Sequence, residues 1–236
     1  MMRKTRLTNT QNSRTGFTIV ELMIATTVFS MILILSLTGF LQIGQLFYKG
    51  VNITSTTNTA KQVIGSLKSD VSFDSDTASI TILNDPLTSP AQDRFYFCAG
   101  SNRYSFILGK QVDREAAANE IKTFPVSGWY RFGLLKDQVS TSLNCPPPFS
   151  SSDPLNGQID PANVTELIGD KMRLSNLTIQ SVSNTLYTLS VHIAYGDDDV
   201  LDDPGGEAAK CKPGAANSRY CFATDVRTTV RRGFLP

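Results

Sequence analysis

Few side chains in this 236-residue sequence could do chemistry, and their spacing narrows what that chemistry is. His192 is the lone histidine, so no site that needs two or three imidazoles can be built. A Ser–His–Asp or Cys–His site would have to use it, and no G-x-S-x-G occurs. His192 also falls on the polar side of an alternating run, where a plain surface histidine is expected. A non-enzymatic protein is the expectation. Cys98, Cys145, Cys211 and Cys221 show no C-x-x-C spacing and have no second histidine to join them, which argues against zinc. They are free buried thiols or two disulfides, and the compartment decides between these.

Two charged runs complete the set. Gly196 to Glu207 reads GDDDVLDDPGGE, with five aspartates and a glutamate on a Gly- and Pro-containing turn. Hard oxygen ligands of this kind could hold calcium, with Asp197, Asp199 and Asp202 as candidates. Asp197 and Asp199 fit the first steps of an EF-hand loop, but Leu201 takes the third and Ala208 the last. A solvated acidic loop is the competing reading. Near the end, RTTVRRG carries Arg227, Arg231 and Arg232. On an alternating strand Arg227 and Arg231 share a face, where cations could touch phosphate or guard an edge strand from aggregation.

The elements that must position these groups begin with a charge asymmetry. Lys+Arg is 22 and Asp+Glu is 21, a net charge of +1. Residues 1–16 hold Arg3, Lys4, Arg6 and Arg14 and no acid, which leaves 18 bases against 21 acids in the remainder. No overall cationic excess marks a general nucleic-acid or membrane-surface binder. Phe17 to Tyr48 is a near-continuous apolar run whose one acid is Glu21. A bilayer core of about 30 Å needs about 20 apolar residues as a helix, so the run can span. Cations ahead of it stay cytoplasmic, so the body after it is exported. The run is longer than a secretory signal's apolar region, and no A-x-A-like site follows it. An acid near the start of a spanning helix is costly and is a functional candidate by default.

RTGFTIVELMIA, from Arg14 to Ala25, resembles the processing signature of type IV prepilins and pseudopilins. Gly16, Phe17, Thr18, Glu21, Leu22, Met23 and Ala25 all fit it. The resemblance implies that a membrane-embedded prepilin peptidase cuts between Gly16 and Phe17 and methylates the new amine. The apolar helix then stays attached, held in membrane lipid before assembly and bundled with other pilins in a filament afterwards. Glu21 would pair with the Phe17 amine of a neighbouring subunit. An unpaired buried charge is costly, so correct stagger is favoured. The mid-helix proline of many major pilins is missing; Gly39 and Gly44 are the weak points. Calcium in a C-terminal loop of some pseudopilins, and DNA on basic patches of competence pilins, give the two charged runs a family context.

The rest follows from patterning. Leu46, Phe47, Val51, Ala60, Val63, Ile64, Leu67 and Val71 recur at three- and four-residue steps, which predicts a helix continuing to Lys68–Ser72. Strands are predicted at Ala78–Leu83, Arg94–Cys98, Arg103–Leu108, Gly128–Leu135, Met172–Val182, Thr185–Tyr195 and Arg219–Val230. Tyr187, Leu189, Val191, Ile193 and Tyr195 alternate with polar residues as in a half-buried strand. A phase slip between Leu174 and Leu177 predicts a bulge, Ser183-Asn184 predicts a hairpin turn, and Asp113–Ile121 could hold a short helix. Residues 144–163 read as a loop.

The expected fold is α+β: a long N-terminal helix, transmembrane in its first half, packed on an antiparallel sheet as in pilins. The parts are a leader at 1–16, a membrane and assembly helix at 17–48, an amphipathic continuation at 49–72 and an exported head at 73–236. The even cysteine count in an exported body suggests two disulfides, with three possible connectivities. Cys211 with Cys221 closes a short loop and leaves Cys98 for Cys145. The Cys211–Cys221 loop resembles the disulfide-bounded region that carries subunit contacts in pilins. Length and loops look more like a minor pilin or a J-type secretion pseudopilin than a compact major subunit.

Overall fold

The computed structural model describes residues 16–74, 80–84, 94–109, 112–113, 131–139, 145–147, 164–169, 171–197, 199–202, 209–214 and 220–233. The chain divides into two compact units, Met1–Gln45 and Leu46–Pro236. Helix α1 (Ile19–Ser72) contributes to both.

In the first unit every residue from Gly16 to Thr38 is exposed. An 18-residue window of α1 has a mean hydropathy of 2.2 and none of it is buried within the protein. By length and composition it can cross a membrane. Its hydroxyls do not spoil that. Thr26 donates to the Met23 carbonyl at 3.0 Å, Thr27 to Ile24 at 2.8 Å, Ser30 to Thr26 at 2.8 Å and Thr38 to Leu35 at 2.9 Å. Each of these four hydroxyls is thus satisfied by its own helix, as hydrocarbon surroundings require. Gly39 and Gly44 do not interrupt α1.

In the second unit α1 is buried on one side. Ala60, Val63, Ile64, Leu67 and Val71 join a core with residues of two sheets. One sheet, ordered β1-β2-β3-β6-β7, consists of β1 (Leu83–Asn84), β2 (Arg94–Ala99), β3 (Asn102–Ile107), β6 (Leu134–Gln138) and β7 (Thr165–Glu166). It supplies Phe97, Tyr104, Phe106 and Leu134. The other sheet is β12-β9-β8, from β8 (Met172–Ser183), β9 (Leu186–Tyr195) and β12 (Phe222–Arg231), and supplies Leu174, Leu177, Tyr187, Leu189, Val191 and Ile193. All pairings in both sheets are antiparallel. The single sheet expected from the sequence is therefore split. Two short pairs add to it: β4 (Val112–Asp113) with β5 (Arg131–Phe132), and β10 (Leu201–Asp202) with β11 (Lys210–Cys211).

Helix α1 ends at Ser72, and the register shift between Leu174 and Asn176 is the bulge that the phase slip predicted. Ser183 pairs with Leu186, so Asn184-Thr185 forms the hairpin turn, one residue later than expected. Asp113 lies in β4, not at the start of a helix; 114–121 fall outside the described residues. The expected apolar face of α1 needs correction. Phe47 is 68% exposed and Val51 47%. At 3.6 residues per turn they lie away from the side of Ala60, Val63 and Leu67. Leu46, 70% exposed, shares the buried phase but meets no core.

The helix end is held from outside. The last turn of α1 has no basic residue of its own. The Gly233 N–H donates to the Ser72 carbonyl at 2.9 Å, and Arg232 pairs with Asp74 at 2.7 Å. A cation and a donor thus reach the end where carbonyls lack partners.

Candidate processing and assembly site

Gly16, Phe17 and Thr18 precede α1 and are not helical. Phe17 is 85% exposed, so the Gly16–Phe17 bond stands clear of the fold. Thr18 is the N-cap. Its backbone N–H donates to Glu21 Oε2 at 3.0 Å and its hydroxyl to the same oxygen at 2.9 Å. The Glu21 N–H returns a bond to Thr18 Oγ1 at 3.3 Å. This is a capping box, in which Thr and Glu three residues apart satisfy donors that a helix start leaves open. The carboxylate also sits at the positive end of the helix dipole. Within the signature, T-x-x-E therefore has a local role in the single chain, and that spacing was readable from the sequence.

The head's candidates are dispersed. Cys98 is bonded to Cys145 and Cys211 to Cys221, with Cα atoms 5.6 Å apart in each, and no cysteine is free. The Cys98–Cys145 connection has an inner latch. Arg103, fully buried, donates through Nε to Asp137 at 3.1 Å and through a second nitrogen to the other carboxylate oxygen. Its third nitrogen reaches the carbonyls of Pro146 and Pro147 at 2.9 and 3.1 Å. Sequence reasoning missed this pair because alternation alone cannot tell a buried, matched ion pair from two surface charges. Both cysteines of the Cys211–Cys221 disulfide join a second, smaller core: Cys221 lies in it with Ala194, Val200, Leu201 and Ala209, and Cys211 packs against it.

A further hub, also unread from the sequence, joins α1 to the five-stranded sheet. Asp70 accepts from the Tyr104 hydroxyl at 2.6 Å, from Asn102 at 3.0 Å and from the Lys136 ammonium at 2.7 Å. Lys136 also donates to Ser66 at 3.0 Å. Burial, then the bond to Asp70, pushes the Tyr104 hydroxyl well above the ordinary tyrosine range, so it stays a donor.

The charged runs look different in three dimensions. Asp197 pairs with Lys171 at 3.3 Å, Asp199 is exposed, and Asp202 lies opposite Lys210 between β10 and β11. Among the described residues no three His, Cys, Asp or Glu side chains come together as a metal would require. Asp198, Asp203 and Glu207 fall outside them. Arg227 and Arg231 are exposed on β12, but Arg232 is 6% exposed and ion-paired with Asp74. Arg232 is thus withdrawn from any phosphate-binding patch. His192 is half-buried on the outer face of β9, between Asn176 and Asp225 in register. Burial lowers its pKa; Asp225 opposes that and Lys210 adds to it.

Residues 11–37 match the family model of the prokaryotic N-terminal methylation motif. No curated protein and no solved structure matches the chain. The matched stretch spans the capping box, the exposed Gly16–Phe17 bond and the first turns of α1. Such a motif implies processing by a prepilin peptidase and assembly with other pilins, and α1 fits a single-pass membrane anchor. Motif, bare apolar helix and helix-on-sheet head together support a type IV pilin-like family for this chain.

Proposed function

We propose that this chain is a structural, non-enzymatic subunit of a type IV pilus or a secretion pseudopilus, in a minor or initiating position. It is cut between Gly16 and Phe17, N-methylated, and assembled through α1. The observation that carries this reading is the motif at 11–37 running into the first half of an apolar helix with no cover of its own. Exposed apolar surface on that scale needs lipid or other helices around it.

The intact mass of the mature protein tests the reading. The expected mass is that of residues 17 onward with one amine hydrogen replaced by methyl, less the hydrogens lost in two disulfides. A mass retaining residues 1–16, or one beginning beyond the apolar helix, overturns it.

Glu21 sets register in this reading. On assembly its carboxylate would exchange the Thr18 bonds for the Phe17 amine of a neighbour. Glu21→Ala should leave insertion and cleavage intact. Incorporation should fall about a hundredfold, the equivalent of about 3 kcal/mol for stranding a buried charge. Glu21→Gln preserves hydrogen bonding to Thr18 without the charge. It should fail equally, whereas recovery with Gln would assign Glu21 to capping alone.

A further inference from the structure

The exported part of α1 presents a second, outward seam. Val51, Thr54, Asn58, Lys61, Gly65 and Lys68 are all exposed and recur at alternating steps of three and four. That spacing is the repeat by which one helix seats against another. At its lower end a shallow groove runs between Phe47, Gly50, Val51 and Thr54. A Cβ added at Gly65 would meet nothing within 4 Å, so a partner backbone can come close between the two lysines. Neither lysine pairs with a carboxylate in the described residues.

The charges choose the occupant. Between Leu46 and Ser72 the sequence holds Lys49, Lys61 and Lys68 and a single acid, Asp70. Asp70 is committed to Tyr104, Asn102 and Lys136. The Leu46–Ser72 part of a second copy therefore offers no free countercharge when set against this seam, and in many staggers it sets lysine against lysine. Like charges across a closely packed seam disfavour a partner, and opposite charges select one.

We infer that this seam docks a helix of a different subunit, one carrying acids spaced seven residues apart to meet Lys61 and Lys68. The inference rests on the filament reading and adds to it that the contact is heteromeric.

Two experiments on the full chain in its own membrane test the idea. The first compares wild type with Lys61→Gln/Lys68→Gln and Lys61→Glu/Lys68→Glu, measuring the share of chain in sheared filaments. Intact mass checks processing and thiol state. The neutral pair should reduce incorporation about tenfold and the reversed pair further still. Incorporation that ignores the charges, or improves on neutralisation, overturns the inference.

The second places a photo-reactive side chain at Ser69, beside Lys68 on the exposed side. The expected adduct is a helical peptide of another protein with Asp or Glu within one turn. An adduct to a second copy of α1, to the Asp199–Asp202 stretch of a second copy, or to no protein overturns the inference. If wild-type chain never reaches filaments, the filament reading fails on its own, and the cross-link in the membrane still decides the partner.

Discussion

Helix α1 lives in two solvents. From Gly16 to Thr38 no side chain is covered by the protein, whereas Thr56, Ala60, Val63 and Leu67 are almost completely buried. Yet the backbone is one continuous helix. The lesson is that helicity has different sources along it. The first part mixes Leu, Met and Ala with β-branched Ile, Val and Thr, and its apolar surface asks for lipid or neighbours. The second includes VNITSTTNTA, whose β-branched and polar residues favour a helix weakly. There Thr56 returns a bond to the Asn52 carbonyl at 2.8 Å, and tertiary packing on two sheets holds the rest.

If that contrast is right, matched truncations in the two regions must differ. Leu67→Ala removes a side chain that is 1% exposed and should cost about 3 kcal/mol of head stability through lost burial and a cavity. Leu33→Ala removes one that is 52% exposed and should leave head unfolding unchanged. Chemical denaturation of the full chain in detergent measures both. Equal effects would break the comparison.

The acids of α1 sharpen it further. Glu21 is held by Thr18 within its own first turn, while Asp70 is held by three residues from β3 and β6. Asp70→Asn keeps the shape but loses the charge-assisted bonds, so it should cost about 2 kcal/mol. Glu21→Gln should cost the head nothing measurable. A stable Asp70→Asn head would show that the hub is ornamental and that apolar packing alone carries the helix.

The same contrast marks what the sequence made legible. Apolar periodicity located the end of α1, and strict alternation from Tyr187 to Tyr195 located β9. The slip at Leu174 located a bulge, because a sheet with one buried face cannot absorb an extra residue silently. Charged residues deceived. Arg103, Asp137 and Arg232 sit in strands or at their ends, where pattern reading assigns charge to solvent; each is buried against a partner far away in sequence. Pairings across 34 and 158 residues leave no local trace. The split into two sheets was illegible for the same reason, since strands were visible but their neighbours were not. The methylation motif was legible because its residues are contiguous in the chain.

The smallest expected effect concerns pH, and it belongs to the head alone. Between about pH 5 and pH 6.5 carboxylates are mostly ionised, and His192 is the chain's one histidine. Its Nδ1 is buried with no hydrogen-bond partner in the described structure. Burial holds the folded pKa below the ordinary 6.5, with Asp225 only partly offsetting it. The unfolded chain therefore takes up the proton first as pH falls. Stability due to neutral His192 is complete above about pH 6.5 and is lost as pH drops through the folded value. The loss is small, because the ring is half-exposed and water screens it. His192→Gln cannot titrate, so its stability should stay flat across that window while wild type declines. Urea midpoints at several pH values compare the two. Parallel curves would mean that the outer face of β9 solvates the imidazolium freely, and that the boundary between covered and bare surface runs inside His192 instead of outside it.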